Sequence, residues 1–214
     1  MKIFLTILFS ISIIAGIYAD DKYEQAMKKN LAKMDECKSA NDYIKLANTF
    51  ERIALAEGGK WLPYYYTALN YILAGYIDSS NTQKDIYLDK AVEFNSKADS
   101  LVPNNSEIYT LKGMIAQARM QIDPMNRWQK YGAEADMNFK KAIAADSLNP
   151  RPEYLIGVGV FYTPKQFGGG PANAKPILEN SFRKYEQFVP ENDLMPKWGR
   201  EMVEQLLKQI NETK

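Results

Sequence analysis

The sequence contains no histidine and a single cysteine, and both shortages exclude kinds of chemistry. None of the 214 residues is histidine, so the chain lacks the usual general base near neutral pH and the commonest metal ligand. Nucleophile systems that pair serine or cysteine with histidine are excluded for the same reason. Cys37 has no second cysteine with which to form an internal disulfide. We therefore predict a protein that is not an enzyme and that holds no cofactor and no metal ion.

Net charge is nearly absent as well. The chain has 27 basic and 26 acidic residues, and a neutral chain lacks the electrostatic footprint of a nucleic-acid-binding protein. Paired carboxylates are a remaining route to catalysis, as in glycoside hydrolysis. No pair among the scattered acids stands out, so we predict neither a nucleic-acid partner nor a catalytic site.

Long apolar runs are absent except at the N-terminus. A run over 3–17 follows the charge of Lys2, and no acidic residue occurs before Asp20. Together with the small residue Ala19, this pattern is typical of a secretory signal peptide. We predict a signal peptide over 1–19, cut after Ala19, and a periplasmic or secreted product with no membrane span.

An uncleaved N-terminal anchor is the alternative, because the run is only slightly shorter than the roughly 18 to 20 apolar residues that span a bilayer. No cysteine stands at the predicted cut, so a lipoprotein is not expected. The whole chain is 46% hydrophobic and 25% charged, which suits one globular domain over 20–214.

Strand signals are almost absent, and helical periodicity takes their place. Apolar residues recur three or four positions apart over 23–34, which marks one face of a helix. Ser39 is predicted to cap a second helix, which stops before Gly58 and Gly59. A third helix is predicted from around Pro63, and Pro103 ends a fourth.

A six-residue phrase occurs twice in the second half of the chain. Ala98–Pro103 returns 47 positions later as Ala145–Pro150 with one change, and a looser copy ends at Pro190, 40 positions further on. Self-similarity at this spacing is typical of stacked helix-turn-helix units.

These units resemble the tetratricopeptide repeat (TPR), whose unit of about 34 residues ends in proline. Leu155, Gly159 and Tyr162 match first-helix positions of that family, as do Trp198 and Gly199 in the next unit. The matches on second helices are Ala91, Ala98 and Leu101, then Ala145 and Leu148, then Leu178, Phe182 and Phe188. The resemblance implies an all-α fold of antiparallel helix pairs, stacked as a short TPR-like right-handed superhelix of about 8–9 helices, with degenerate repeats clearest over 84–214.

The chain departs from that family in two ways. Lys112 and Asn138 stand where a small residue is expected, and the spacings of 47 and 40 exceed the family's length. The surplus residues are predicted in longer helices or in enlarged loops around 123–127 and 163–172.

The mature chain also resembles uncharacterised exported TPR-like proteins of Bacteroidetes. The phrases that carry this resemblance are Trp61–Tyr66, Asp123–Met125, Asn149–Pro152, Phe161–Pro164 and Phe167–Gly170. It implies the fold and an exported location, and it leaves the ligand open.

Two groups of residues are candidates for binding. The first is the series Tyr64, Tyr65, Tyr66, Tyr71 and Tyr76. Successive helix positions lie about 100° apart, so at least one of the three adjacent tyrosines is predicted to be exposed or to line a groove. Rigid rings with a polar tip suit ligand surfaces, although aromatic core residues are the alternative.

The second group is basic and aromatic: Arg119, Arg127, Trp128, Lys130 and Tyr131. It is predicted to hold an anionic group or a peptide carboxylate, and a solvated helix face is the alternative. The partner-binding residues predicted from both groups are Tyr64, Tyr65, Tyr71, Arg119, Arg127, Trp128 and Tyr131.

The glycines at 168–170 suggest a phosphate cradle, but the Lys-Ser/Thr of a nucleotide loop does not follow them. A wide turn between two helices is the preferred interpretation.

The sequence features are consistent with two functions. The main prediction is an exported scaffold that binds a protein or peptide partner in the cell envelope. The alternative is a periplasmic carrier that binds a small molecule or lipid between helix pairs. An open groove favours the scaffold, and an enclosed apolar pocket of roughly 300 Å³ or more favours the carrier. The sequence does not predict an oligomeric state.

Overall fold

The computed structural model describes residues 21–212, and these residues contain helices and no strand. The helices are α1 (21–31), α2 (Ala40–Ala56), α3 (Trp61–Ile77), α4 (Asn81–Leu101), α5 (Ser106–Ile122), α6 (Pro124–Ala145), α7 (Arg151–Tyr162), α8 (Pro171–Gln187) and α9 (Arg200–Glu212). Short 3-10 turns occur at Met34–Glu36 and Lys165–Phe167. The predicted all-helical fold is confirmed, whereas the predicted signal peptide over 1–19 lies outside the described residues.

Side-chain caps fix several of the helix starts. Ser39 begins α2 with a capping box: its hydroxyl accepts the Asp42 N–H, and the Asp42 carboxylate accepts the Ser39 N–H at 3.0 Å. Asn105 accepts two N–H groups at the start of α5. Among residues 21–212, no helix is both long enough and apolar enough to cross a membrane.

The helices form antiparallel pairs that repeat along the chain. The pairs are α3–α4, α5–α6 and α7–α8, and the connections between them are 102–105 and 146–150. The predicted phrases Ala98–Pro103 and Ala145–Pro150 end in these connections. The first helices of the pairs also contact one another, α3 with α5 and α5 with α7. This is the stacking expected of helix-pair repeats, while the right-handed superhelix and membership of the TPR family stay predictions.

The surplus residues lie mainly in long second helices. α4 has 21 residues and α6 has 22, and only Asp123 separates α5 from α6. The predicted enlarged loop at 123–127 is wrong, because the Asp123 side chain caps the next helix and Pro124 fits its first turn. The longer connection predicted after Tyr162 is present, over 163–170.

Glycines stand where two helices approach most closely. A side chain at Gly113 would overlap the ring of Phe139, which crosses from α6. Gly113 therefore supplies the small residue that the repeat pattern predicted one position earlier, at Lys112. The Lys112 amine instead donates to the Asp99 carboxylate at 2.7 Å. Gly157 has the same role toward Leu178 of α8.

One apolar core runs from α1 to α7, and a smaller one joins α7, α8 and α9. Tyr23 and Met27 bury α1 against the first core, and Tyr154 borders both cores. Tyr154 of α7 therefore packs against both cores and connects them.

We expect Gly113→Ala to destabilise the protein by about 1–2 kcal/mol, because overlap with Phe139 exceeds the gain of up to about 1 kcal/mol in helix propensity. Gly132→Ala on α6 is the matched control, since its new methyl group would meet only Met120 at 3.7 Å, and we expect it to be neutral or stabilising. Urea unfolding of both variants measures the difference. Equal midpoints would show that α5 and α6 do not approach this closely.

Candidate functional site

The first helices of the pairs present one shared inner surface, which we call the concave face. Its rows follow from helical periodicity of about 100° per residue. They are Tyr65, Leu69 and Tyr76 on α3, Glu107, Met114 and Gln121 on α5, and Tyr154, Val158 and Tyr162 on α7. The Tyr65 hydroxyl donates to Glu107 at 3.1 Å and the Tyr76 hydroxyl to the Met114 carbonyl at 3.3 Å, so the α3 and α5 rows are in direct contact.

The chain's own C-terminal segment, 188–199, covers the half of the concave face where α3, α5 and α7 begin. The Tyr66 hydroxyl donates to the Leu194 carbonyl at 2.7 Å, and the Trp198 indole donates to the Tyr65 hydroxyl at 2.9 Å. Gly199, at a φ of 106°, turns the segment into α9. The Tyr185 hydroxyl donates to the Trp198 carbonyl at 3.0 Å and fixes that turn.

Arg151 is the centre of this covered half. Its side chain is fully buried and forms an ion pair with Glu107 at 3.1 Å. It also donates to the Pro196 carbonyl of the C-terminal segment, and its guanidinium lies 4.6 Å from the Phe188 ring centre and 5.6 Å from that of Trp198. One buried cation therefore connects α5, α7 and the segment.

Glu107 is the buried counter-charge. Burial raises the pKa of its carboxyl group, and Arg151 opposes that rise. Asn149 donates to the same carboxylate at 2.8 Å. The carboxylate thus receives hydrogen bonds from two side chains and faces one cation, which is how a buried charge is stabilised.

The C-terminal segment lies where an extended peptide would enter the groove of a helix-pair stack. A peptide partner would have to displace Leu194 and Trp198 from buried contacts. The covered half of the concave face is therefore unsuited to the peptide binding that we predicted.

The other half of the concave face carries three tyrosines, Tyr76, Tyr154 and Tyr162, which we call the tyrosine trough. Tyr154 is partly buried against Trp198, with ring centres 6.2 Å apart, and Tyr162 is 71% exposed. Burial, and then the nearby Tyr154, raises the pKa of Tyr76. Burial, and then the nearby Tyr162, raises the pKa of Tyr154 to about 12. Tyr76 and Tyr154 therefore stay protonated at neutral pH.

The connection from α7 to α8 forms an ordered rim beside the trough. The Gly170 N–H donates to the Val160 carbonyl at 2.8 Å, and the Asn173 amide donates to the Gly168 carbonyl at 3.0 Å. Gly168 and Gly170 adopt positive φ angles of 82° and 97°. The glycines thus form the predicted wide turn between two helices.

The predicted tyrosines of α3 are core residues. Tyr64, Tyr65 and Tyr71 are 9%, 0% and 7% exposed. At least one of three adjacent tyrosines was expected to be exposed or to line a groove. None of the three is exposed, because α2, α4, α5 and the C-terminal segment pack around α3. Tyr65 instead lies on the concave face, beneath Trp198 of that segment. A partner-binding role for Tyr64, Tyr65 and Tyr71 stays a prediction, and it would require the neighbouring helices to separate.

Tyr71 also points away from the concave face. Its ring stacks on Phe94 of α4 at 5.9 Å, and its hydroxyl donates to Asn48 of α2 at 3.3 Å. It therefore contributes to the contacts of α3 with α2 and α4 rather than to the trough.

The predicted basic group is assembled, but carboxylates of α4 neutralise it. Arg127 forms two hydrogen bonds of 2.8 Å with Asp85, and Arg119 contacts Asp85 and Asp89. The Arg127 hydrogen bond lowers the pKa of Asp85. Tyr131 lies 6.0 Å from the Arg119 guanidinium. Both guanidinium groups are thus already paired, which leaves little charge for the predicted anionic ligand.

Of the two remaining residues of that group, Lys130 lies 4.9 Å from the Tyr131 ring centre, and Trp128 is exposed. An open cleft of about 460 Å³ runs past the ion pairs and is lined by Asp85, Asp89, Asp123 and Arg127. A second cleft, of about 480 Å³, lies between α8 and α9 beside Phe182 and Leu207. Both clefts are open to solvent, so neither is the enclosed apolar pocket that would by itself indicate a carrier.

Tyr154 and Tyr162 were not among the predicted site residues. The signal that marks them is the spacing of four between Tyr154, Val158 and Tyr162, which puts all three on one side of α7. The contact of Tyr154 with Trp198 of the C-terminal segment shows that this side of α7 belongs to the concave face.

Comparison with known proteins gives one informative likeness. No model of a protein family matches the chain, and no curated protein matches it either. Among solved structures, it is similar to the HusA haemophore from Porphyromonas gingivalis, with 36% sequence identity and a TM-score of 0.80. The alignment covers 90% of this chain and 94% of that one, so the likeness extends over the stack of helices rather than one pair. A haemophore is a binding protein and not an enzyme.

We expect Arg151→Met to destabilise the protein by about 3–5 kcal/mol, because it leaves the Glu107 carboxylate buried without its cation. Lys140→Met, which breaks the exposed pair with Asp136, is the control and should change stability by less than about 0.5 kcal/mol. Urea unfolding compares the two variants. If both cost the same, the buried pair does not hold the C-terminal segment in place.

The raised tyrosine pKa values also predict sensitivity to alkali. An unfolded tyrosine ionises near 10.0, whereas Tyr154 in the folded chain ionises at about 12, so the folded state binds this proton more tightly. Its contribution to stability is complete below pH 10.0 and is lost as the pH rises toward 12. We expect the urea midpoint to decrease as the pH is raised from about 10 to about 12. Tyr154→Phe should reduce that fall. Tyr162→Phe removes only the smaller cause of the raised Tyr154 pKa and should reduce the fall less.

Proposed function

The chain belongs to the family of the HusA haemophore from Porphyromonas gingivalis, and from that premise we propose that it is a carrier of haem or a closely related tetrapyrrole. The observation that carries the proposal is the likeness to a haemophore over nearly the full length of both chains. It favours our alternative prediction, a small-molecule carrier, over the scaffold for a protein partner. We further propose that it works outside the cytoplasm, in line with the predicted signal peptide.

The tyrosine trough is the part of the concave face that we assign to the cargo. A tetrapyrrole is a flat aromatic ring system, and aromatic side chains bind such rings by stacking and edge contacts. Tyr76 on α3 and Tyr154 and Tyr162 on α7 offer such rings, with hydroxyl tips for polar atoms at the edge of the cargo. The covered half of the concave face is closed by Trp198, which borders the trough through its contact with Tyr154.

The absence of histidine limits how the cargo is held. Histidine is the usual ligand of haem iron, and tyrosine and methionine are among the others that proteins use. With no histidine in the chain, most of the binding free energy has to come from burial of the flat ring against aromatic and apolar side chains.

The open shape of the site fits a flat ligand better than a compact one. A flat ring needs contacts on its two faces but not a closed cavity, and part of its edge stays accessible to solvent. Access of solvent to the edge of the ring favours release of the cargo. Differences in affinity among related complexes lie mostly in the dissociation rate.

We expect the purified protein to bind haemin saturably, with a shift of the haemin absorbance band and quenching of tryptophan emission from Trp198 beside the trough. Tyr162→Ala should weaken binding by roughly 2- to 12-fold, the equivalent of about 0.5–1.5 kcal/mol for one aromatic contact. The exposure of Tyr162 means that this variant should keep its fold.

Tyr109→Ala is the matched control, because Tyr109 faces Asn104, Lys112 and Lys141 and is off the concave row. It should bind haemin as the unchanged protein does. A folded protein that gives no saturable absorbance change would overturn the proposal. Equal losses in the two variants would place the site elsewhere on the surface.

A further inference from the structure

The stretch that contains the trough residues of α7 is free of acidic side chains. From Tyr154 to Leu178 there is no aspartate or glutamate, and the two charged residues are Lys165 and Lys175. This stretch spans most of α7, the connection over 163–170 and the start of α8. The charges within this stretch are therefore all positive, in a chain whose total charge is close to neutral.

No cation on the concave helices themselves is available for an anionic ligand. α3 contains no lysine or arginine. On α5, Lys112 is paired with Asp99 and Arg119 with Asp85. On α7, Arg151 is buried against Glu107. A negatively charged cargo group has to find its partner beside these helices.

Lys165 is the cation that the fold places there. It is exposed, and it forms no ion pair with any carboxylate of residues 21–212. It lies three positions after Tyr162 and two before Phe167, rings that are 71% and 75% exposed. An unpaired charge with exposed aromatic residues close to it in the sequence is suited to a ligand that is both aromatic and anionic.

The connection that carries Lys165 is ordered. Gly169 sits directly against Thr163, and the Lys165 stem runs past Gly170, where a side chain would lie 2.9 Å from its Cγ. The Gly170 hydrogen bond to Val160 ties the connection to α7. The side chain is thus presented from a fixed backbone, which lowers the entropy lost when it binds.

We propose that Lys165, between Tyr162 and Phe167, binds a carboxylate of the cargo and so fixes which edge of the ring faces the connection from α7 to α8. This inference rests on the proposed function, because haem carries two propionate carboxylates on one edge. An ammonium group donates charge-assisted hydrogen bonds to such a carboxylate. The opposite, apolar edge of the ring would then point along the trough toward Tyr76 and the covered half of the concave face.

The test compares haemin with haemin dimethyl ester, in which the carboxylates are blocked and the ring is unchanged. The unchanged protein should prefer haemin by roughly 2- to 5-fold, the range of an exposed ion pair. Lys165→Gln should lose this preference by weakening haemin binding and leaving ester binding as it was. The preference should also shrink as salt is added.

Lys175→Gln is the matched control, since Lys175 lies in the same acid-free stretch but is bonded to Asn211 and close to Glu179. It should keep the preference, and Lys165→Arg should restore it. Equal affinity of the unchanged protein for both compounds would overturn the role of Lys165 and leave the proposed function standing. Equal weakening of both compounds by Lys165→Gln would show that only the side-chain stem matters. Failure to bind either compound would overturn the proposed function itself.

Discussion

The buried pair of Arg151 and Glu107 is the constraint on which the rest of the structure depends. Burying two charges is costly unless each one faces the other and its remaining hydrogen-bonding groups are satisfied. Here the partners come from α7 and α5, and the backbone of the C-terminal segment supplies a further acceptor at Pro196. The three parts must therefore meet in one arrangement, which fixes the spacing of α5 and α7 and the path of the chain after α8.

That arrangement divides the concave face into two halves with different properties. One half is filled by the protein's own residues, including Leu194 and Trp198, and is unsuited to a peptide. The other half remains lined by tyrosines that are only partly buried. The likeness to a haemophore is the reason why we propose a flat tetrapyrrole cargo for this open half. The acid-free stretch around Lys165 is the reason why we propose one orientation for that cargo.

Much of the fold could be predicted from local patterns, since apolar periodicity, Ser39 and the phrase ending in Pro103 and Pro150 are sufficient to mark the helices and their pairing. The errors concern residues whose surroundings come from distant parts of the chain. Arg127 looked like a free cation because Asp85, its partner, lies 42 positions earlier. The α3 tyrosines looked accessible because the segment that covers them comes more than a hundred residues later, as the bond from Tyr66 to Leu194 shows. Tyr154 and Tyr162 were missed because periodicity groups them on one side of α7 but does not show what that side faces.

The return of the C-terminal segment also changes how the chain should fold. Stacks of helix pairs normally fold and unfold in pieces, because each pair contacts only the next one. In this chain, hydrogen bonds join residues 128 and 133 positions apart, from Tyr66 to Leu194 and from Trp198 to Tyr65. These contacts raise the contact order and join the C-terminal segment to α3. The protein should therefore lose its structure in a single cooperative step, unlike an open solenoid, which can fray from either end.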